Sequence, residues 1–419
     1  MNVLLLYKGD YVSALRGPEL RYMSLAQELT ALGHKVVISG RTAQPESLPS
    51  AVEFVAISNR LALVKAFFAA QMVVLHGGGP VILLLATLAG LAGKQIILDS
   101  YVPHWIELEA LSKTQSRFSK IKTLIKSYFN VLRGLYSALI FNGIIAANHR
   151  QLDLYRGMIA PFSLTRDFSR VVVIPFGCDS TPINLSSQGR ELLSELSNGK
   201  IRADDFVIGW LGGTYGWFDL ATLLTEVSDA ITSNPSIKLV FFGVEAGRER
   251  ELLEWVLPQA QDNVVFLPWV AFAQRFDYWS GFDVSLVWGA KSVENDYASR
   301  TRNFDCLTLG LPIVQNWDQE WGPRLKESGA GQVTDTEHIA AVLTELSYSP
   351  DKVAVMRNAM QQLAPPFYWS RFASQLIAMA QMPAMSVVRR VCGLFAFICI
   401  LPAALVLFLY YGLLSLKKS

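Results

Sequence analysis

Runs of strand length that are apolar from end to end, each followed by a glycine loop and a helix-length segment, recur along the chain and leave few folds open. Residues 2–7 begin the series; a loop with Gly9 and Gly17-Pro18 follows, then a helical pattern over 21–32, closed by Gly33-His34, and a second strand over 35–39. The same order returns at 54–57, 72–75, 96–98, 143–147 and 171–175. A strand that is apolar along its whole length is buried on both faces, which requires a parallel sheet with helices on either side. The uncharged run 81–93 has only 13 residues, short for a bilayer span, and is expected to be a core helix of that sheet, with a second membrane span as the alternative. Asp, Ser, Thr and Pro cluster over 178–187, as in a linker, and the pattern then begins again. Strands are expected at 206–210, 238–242, 264–266, 284–288 and 313–315, with a Gly212-Gly213 loop and a helix over 219–232. The fold class is therefore α/β, with two tandem Rossmann-like doubly wound domains over 1–180 and 188–375.

A different solvent is implied for the end of the chain. Residues 391–416 run for 26 positions without a charge, between Arg389-Arg390 and Lys417-Lys418. About 20 apolar residues cross a bilayer, so a C-terminal transmembrane helix over 388–416 is expected; Pro402 within it leaves room for a kinked or re-entrant segment, and a buried core helix is the remaining alternative. Residues 1–7 read as a strand without a basic leader, which places the bulk of the chain in the cytosol as a single-pass, C-terminally anchored membrane protein. Cys178, Cys306, Cys392 and Cys399 have neither pairing nor metal-type spacing and read as reduced thiols.

The net charge of +2 conceals an asymmetry: residues 1–190 hold 19 Lys/Arg against 11 Asp/Glu, and 191–384 hold 14 against 24. From Ala110 to Leu152 there is no acid, while Lys113, Arg117, Lys120, Lys122, Lys126 and Arg133 alternate with apolar residues. Such a helix suits either an anionic leaflet or a solvated basic face over the sheet, and no nucleic-acid recognition motif accompanies it, so no nucleic-acid partner is expected.

The chemistry concentrates in Glu294-Asn-Asp-Tyr-Ala-Ser-Arg-Thr-Arg-Asn-Phe-Asp-Cys-Leu-Thr-Leu-Gly-Leu-Pro-Ile-Val314. Arg300 and Arg302 are planar cations suited to a diphosphate, Glu294 and Asp305 are carboxylates suited to sugar and ribose hydroxyls, and Gly310 lets a helix end tightly before a strand. This stretch resembles the donor-site signature of the two-domain GT-B glycosyltransferases, nearest to glycosyltransferase family 4 and its distant relatives. The resemblance covers most of 1–375, in order. Gly17-Pro-Glu-Leu-Arg21 with Leu32-Gly-His-Lys-Val36 is similar to the family's first loop and helix, and Leu98-Asp99-Ser-Tyr-Val-Pro-His104 with Glu107 to its acidic segment at a strand end. Ala146-Ala-Asn-His-Arg-Gln-Leu-Asp153 and Ile174-Pro-Phe-Gly177 resemble the close of the first domain, and Gly212-Gly213 with Trp217-Phe-Asp219 the loop that opens the donor domain. The chain departs from the family pattern of two glutamates: the second position is Asp305, and the position eight residues earlier is Tyr297.

The resemblance implies a hexosyl- or related glycosyltransferase acting in polysaccharide biosynthesis. It would move a sugar from a nucleotide-sugar donor, a substrate rather than a cofactor, to a lipid-linked or glycan acceptor at the cytosolic membrane face. The chain lacks the Asp-x-Asp motif of metal-dependent transferases of another fold, so no metal is expected. Arg300, Arg302 and the backbone of Gly212, Gly213 and Thr214 would hold the diphosphate, Asp305 the ribose from a helix start, and Glu294 the transferred sugar. Asp99, just past an apolar strand, would take or orient the acceptor proton, with Gly17 and His104 binding substrate. His76, ahead of Gly77-Gly-Gly-Pro80, is the weaker histidine candidate. A nucleotide-sugar epimerase or hydrolase of this fold, or a degenerate scaffold in a polysaccharide-assembly complex, would share the same pattern.

Overall fold

A computed structural model describes residues 1–11, 17–42, 44, 48–112, 116–162, 168–180, 187–216, 218–318 and 320–417. Lys113, Trp217, Lys418 and most of the expected linker lie outside the described residues. The chain divides into two compact units, one formed by Met1–Phe176, Tyr297–Ser299 and Trp369–Ser419, the other by Gly177–Asp296 and Arg300–Tyr368. Residues 369–375, which the sequence assigns to the second domain, thus fall in the first. The indole of Trp369 meets Phe176 edge-on at 4.9 Å between ring centroids.

The first unit is built on seven parallel strands: β1 (Asn2–Tyr7), β2 (Lys35–Gly40), β3 (Val52–Ala56), β4 (Met72–His76), β5 (Gln95–Asp99), β6 (Gly143–Ala146) and β7 (Val171–Val173), in the order β3-β2-β1-β4-β5-β6-β7. Leu4, Leu5 and Leu6 in β1 and Val73, Val74 and Leu75 in β4 have no exposed surface, as two-sided burial demands. The second unit carries six parallel strands, β8 (Phe206–Trp210), β9 (Ile237–Phe242), β10 (Val264–Leu267), β11 (Val284–Val287), β12 (Ile313–Gln315) and β13 (Gly331–Val333), in the order β10-β9-β8-β11-β12-β13. Strand β13 escapes a sequence reading because Gly331-Gln-Val333 offers only one residue with a strand preference. In each sheet the chain first works outward in one direction and then restarts on the other side of its first strand, so the switch points lie between β1 and β4 and between β8 and β11.

The helix Pro80–Leu91 is a core helix on one side only. Ile82, Ala86 and Ala89 are buried, whereas Val81, Leu84 and Leu88 are 67%, 58% and 44% exposed. The last helix, Val387–Lys417, contains a 24-residue segment, Val387–Tyr410, long and apolar enough to cross a membrane. It is not loosely attached. Arg390 is 1% exposed and donates to the Ile140 carbonyl and to Asn142 Oδ1, both at 2.6 Å. Gly393 lets the helix approach closely, since a Cβ there would stand 2.6 Å from the Leu139 carbonyl oxygen. Farther along, Phe397 meets Tyr136 edge-on at 5.0 Å and Phe408 stacks on Tyr128 at 4.2 Å, so the apolar helix runs beside the basic helix Arg117–Ile140.

One buried ion pair ties the first sheet together at its carboxyl end. Asp99, the last residue of β5, is 1% exposed and takes Arg21 Nε on Oδ2 at 2.8 Å and Arg21 Nη2 on Oδ1 at 3.1 Å. The same guanidinium donates to the carbonyls of Pro175 at 2.6 Å and Ile174 at 3.1 Å, just beyond β7. Removing one partner of a buried pair leaves an uncompensated charge, which typically costs about 3–5 kcal/mol. Asp99→Asn is therefore expected to lower the unfolding free energy by about 3 kcal/mol, read as a shift in the urea midpoint at unchanged slope.

Candidate functional site

The helix Thr301–Leu309 turns the signature stretch into three-dimensional chemistry. Arg300 is its N-cap residue in extended conformation, and Gly310 closes it at φ 61°, the left-handed conformation that favours glycine. Because 302 and 305 stand three apart within the helix, Arg302 and Asp305 share a face. Asp305 is therefore a mid-helix residue and not the helix-start acceptor that the sequence leads one to expect.

Arg302 is 7% exposed and lies beneath the loop that leaves β8. Its Nη2 donates to the Gly213 carbonyl at 3.2 Å, and its guanidinium stands 4.4 Å from the Trp210 ring centroid and 4.5 Å from that of Phe218. Gly212 makes this possible by adopting φ 101°. The Nη1 atom of Arg302 is buried without a hydrogen-bond partner among the described residues. Burial, and after it the like charge of Arg300, push the guanidinium down to about 9. A cation held against its own solvation, with one donor idle, is an electrostatic demand for an anion.

The other expected diphosphate group is already satisfied. Arg300 reaches Glu294 in a two-pronged pair, Nη1 to Oε1 at 3.0 Å and Nη2 to Oε2 at 2.8 Å, and also donates to Asn295 Oδ1 at 3.0 Å. Glu294 is 4% exposed. Glu294 and Arg300 thus satisfy each other, whereas Arg302 keeps a buried donor without a partner among the described residues. Asp305 faces a residue that sequence reasoning passed over: Arg275, 9% exposed, whose Nη2 lies 3.5 Å from Asp305 Oδ1. Burial pushes the Asp305 carboxyl up to about 6, against the opposing pull of Arg275. Nothing in local spacing could have paired positions 275 and 305; the apolar company of Phe276 and Trp279 was the one visible sign that this arginine is held inside.

Gly212, Gly213 and Thr214 also form one wall of a cleft of about 220 Å³, completed by Phe242, Gly243, Val244, Glu245, Arg248 and Trp269. These residues follow the carboxyl ends of β8, β9 and β10, the edge at which open parallel sheets bind ligands. Trp269 is 63% exposed although its indole lies directly over Gly243, where a Cβ would come within 2.1 Å of the ring. A flat aromatic face is thereby presented over a backbone surface with no side chain of its own.

In the first unit the expected residues are less open. Asp99 is the counter-ion of Arg21, with both oxygens occupied, and not a base free to reach an acceptor hydroxyl. Gly17 is the first residue of the helix Gly17–Ala31, not a loop residue. His104 pairs with Glu107 at 3.3 Å, with side chains 35% and 32% exposed. His76 is buried, its Nδ1 lies 3.2 Å from the Asp99 carbonyl oxygen, and its ring stacks on Tyr101 at 5.2 Å. Burial, followed by the charge of His104, holds His76 well below the ordinary imidazole range.

No protein-family model matches this chain, and no curated protein matches it in sequence. Solved structures do. WaaG, a glycosyltransferase involved in lipopolysaccharide biosynthesis, superposes over 91% of this chain and 100% of its own at a TM-score of 0.63 with 14% identity. Anabaena HepE, in a complex with UDP-glucose, covers 90% of this chain and 98% of its own at a TM-score of 0.61, also with 14% identity. A glycosyltransferase from Rickettsia africae covers 91% of this chain and 97% of its own at a TM-score of 0.63 and 12% identity. Likeness at such identities speaks for architecture. The two parallel Rossmann-like sheets, in this order and over nearly the whole of each chain, give the protein the GT-B fold.

Proposed function

We propose that this chain is a glycosyltransferase that takes a nucleotide-sugar donor into its second unit and transfers the sugar to a lipid-linked or polysaccharide-precursor acceptor at a membrane face. The observation that carries the reading is Arg302, buried beneath the Gly212-Gly213 loop with Nη1 unpartnered among the described residues. Sugar transfer breaks the bond between the anomeric carbon and the diphosphate, so negative charge grows on the leaving group. A desolvated guanidinium already in place stabilises that charge without reorganising at the moment of reaction. Backbone N–H groups of Gly213 and Thr214 serve the same oxygens. Trp269 offers its face to the nucleobase, and Asp305, once ionised, accepts from ribose hydroxyls. Two of the structural neighbours are consistent with this: HepE is seen with UDP-glucose, and WaaG acts in lipopolysaccharide biosynthesis. The apolar helix Val387–Tyr410 supports a membrane location and, with it, an acceptor presented there.

Screening nucleoside diphosphates by thermal shift tests the reading, because a ligand raises apparent stability with its affinity. One of the panel is expected to stabilise the protein. Arg302→Ala should weaken its binding roughly 10- to 100-fold, the range for losing a charge-assisted contact, and Trp269→Ala should cost about tenfold. If no nucleoside diphosphate binds the folded protein, the donor assignment is wrong; donor consumed only when an acceptor is added separates transfer from hydrolysis.

The position of the Asp305 carboxyl gives a pH signature. Its folded value of about 6 lies above the ordinary carboxylate range, so the group is ionised above that pH and protonated below it. Nucleotide affinity should therefore fall as pH drops through about 6. Titration calorimetry of Asp305→Asn should lack that step, while any step owed to the nucleotide's own phosphates persists in both proteins.

A further inference from the structure

A second cationic site stands in the first unit, at the switch point between β1 and β4. Lys8 directly follows β1, and Gly77-Gly78-Gly79 directly follows His76, the last residue of β4. Gly77 and Gly78 adopt φ 75° and 154°, which turns the backbone into the crevice. The loop enters the 12-residue helix Pro80–Leu91, whose N-cap Gly79 supplies no side-chain cap and whose first residue is proline. The following N–H groups thus lack a capping partner of the usual kind.

The site rests on the side chains that meet there. Arg133 reaches in from the helix Arg117–Ile140, half-buried, with Nη1 only 2.8 Å from where a Cβ on Gly77 would stand. Burial holds its guanidinium below the ordinary range, and partial burial followed by the like charges of Arg133 and Arg41 does the same to the Lys8 ammonium. Among the described residues neither Arg133 nor Lys8 has a carboxylate partner. Of the acids of this unit, Asp10 pairs with Arg41 at 3.5 Å, Asp99 with Arg21 at 2.8 Å and Glu107 with His104 at 3.3 Å, while Glu19, buried, takes the Tyr7 hydroxyl on Oε1 at 2.7 Å and keeps Oε2 without a partner among the described residues. Bringing two like charges together with no counter-ion is unfavourable unless something outside the chain completes the site.

We propose that Arg133, Lys8 and the Gly77–Gly79 loop form an anion subsite that holds a phosphate or diphosphate ester of the acceptor. Guanidinium, ammonium and helix-end N–H donors together match a multiply charged tetrahedral anion better than a single carboxylate. The acceptor role rests on the transferase reading above; the anion site does not.

Inorganic pyrophosphate is the probe. Calorimetry on the full-length protein in detergent, with the nucleotide site saturated by the nucleoside diphosphate found above, should still detect one pyrophosphate site. Arg133→Gln and Lys8→Gln should each weaken that site about tenfold or more, while nucleoside diphosphate binding stays unchanged; Lys8 is the less buried of the two, so its variant guards against a misfolded Arg133 variant. If no nucleoside diphosphate binds, pyrophosphate is titrated alone, and the same two variants decide. Absence of the site, or its survival unweakened in both variants, overturns the proposal. Competition then identifies the source: displacement by dodecyl phosphate in phosphatidylcholine vesicles marks a lipid-borne acceptor, and displacement by a soluble hexose phosphate marks a water-soluble one. Displacement by neither refutes the acceptor role.

Discussion

Parallel pairing is the constraint from which the rest of this structure follows. Parallel neighbours cannot be joined by a tight turn, so every strand must be followed by a crossover that carries the chain back over a face of the sheet. The faces are thereby filled, and all freedom of sequence is displaced to the carboxyl ends of the strands. Gly212 and Gly213 after β8, Gly243 after β9, the glycines after β4 and Asp99 at the end of β5 all lie along those edges. Chemistry gathers there because nothing else in the architecture remains unassigned.

Charge at these edges falls into two kinds. Asp99 with Arg21, and Glu294 with Arg300, are closed pairs whose members satisfy one another in places from which water is excluded. They fix geometry, and deleting one partner is costly because the other remains. Arg302 and Arg133 are open: each is held where its charge is disfavoured and, among the described residues, has no carboxylate partner. The distinction between closed and open cations decides which of several arginines in a signature is poised for a ligand, and residue type alone does not reveal it.

Much of the fold could be read from the sequence because strands buried on both faces are unambiguous. Of the thirteen strands among the described residues, the short β13 left no trace of this kind. The segment 294–314 folds around the helix Thr301–Leu309, and how that helix divides its charged residues was hidden in the sequence. Whether Arg300 or Arg302 faces the loop depends on the helix beginning at Thr301, a boundary that no capping residue announces. Arg275 and Arg133 were out of reach for a different reason: each acts on a group 30 or more positions away, Asp305 and Gly77 respectively, and only the folded sheet brings them together. Asp99 was recognised as special, but the partner that occupies it comes from 78 positions earlier.

The seating of Arg390 has a mechanical consequence. An apolar helix joined to its domain through a flexible stalk leaves that domain free to turn about it. Here the hydrogen bonds of Arg390 and the close approach at Gly393 leave no slack between the apolar helix and the first unit. Any tilt of that helix is therefore a tilt of the whole first sheet and of the crevice beside β1 and β4.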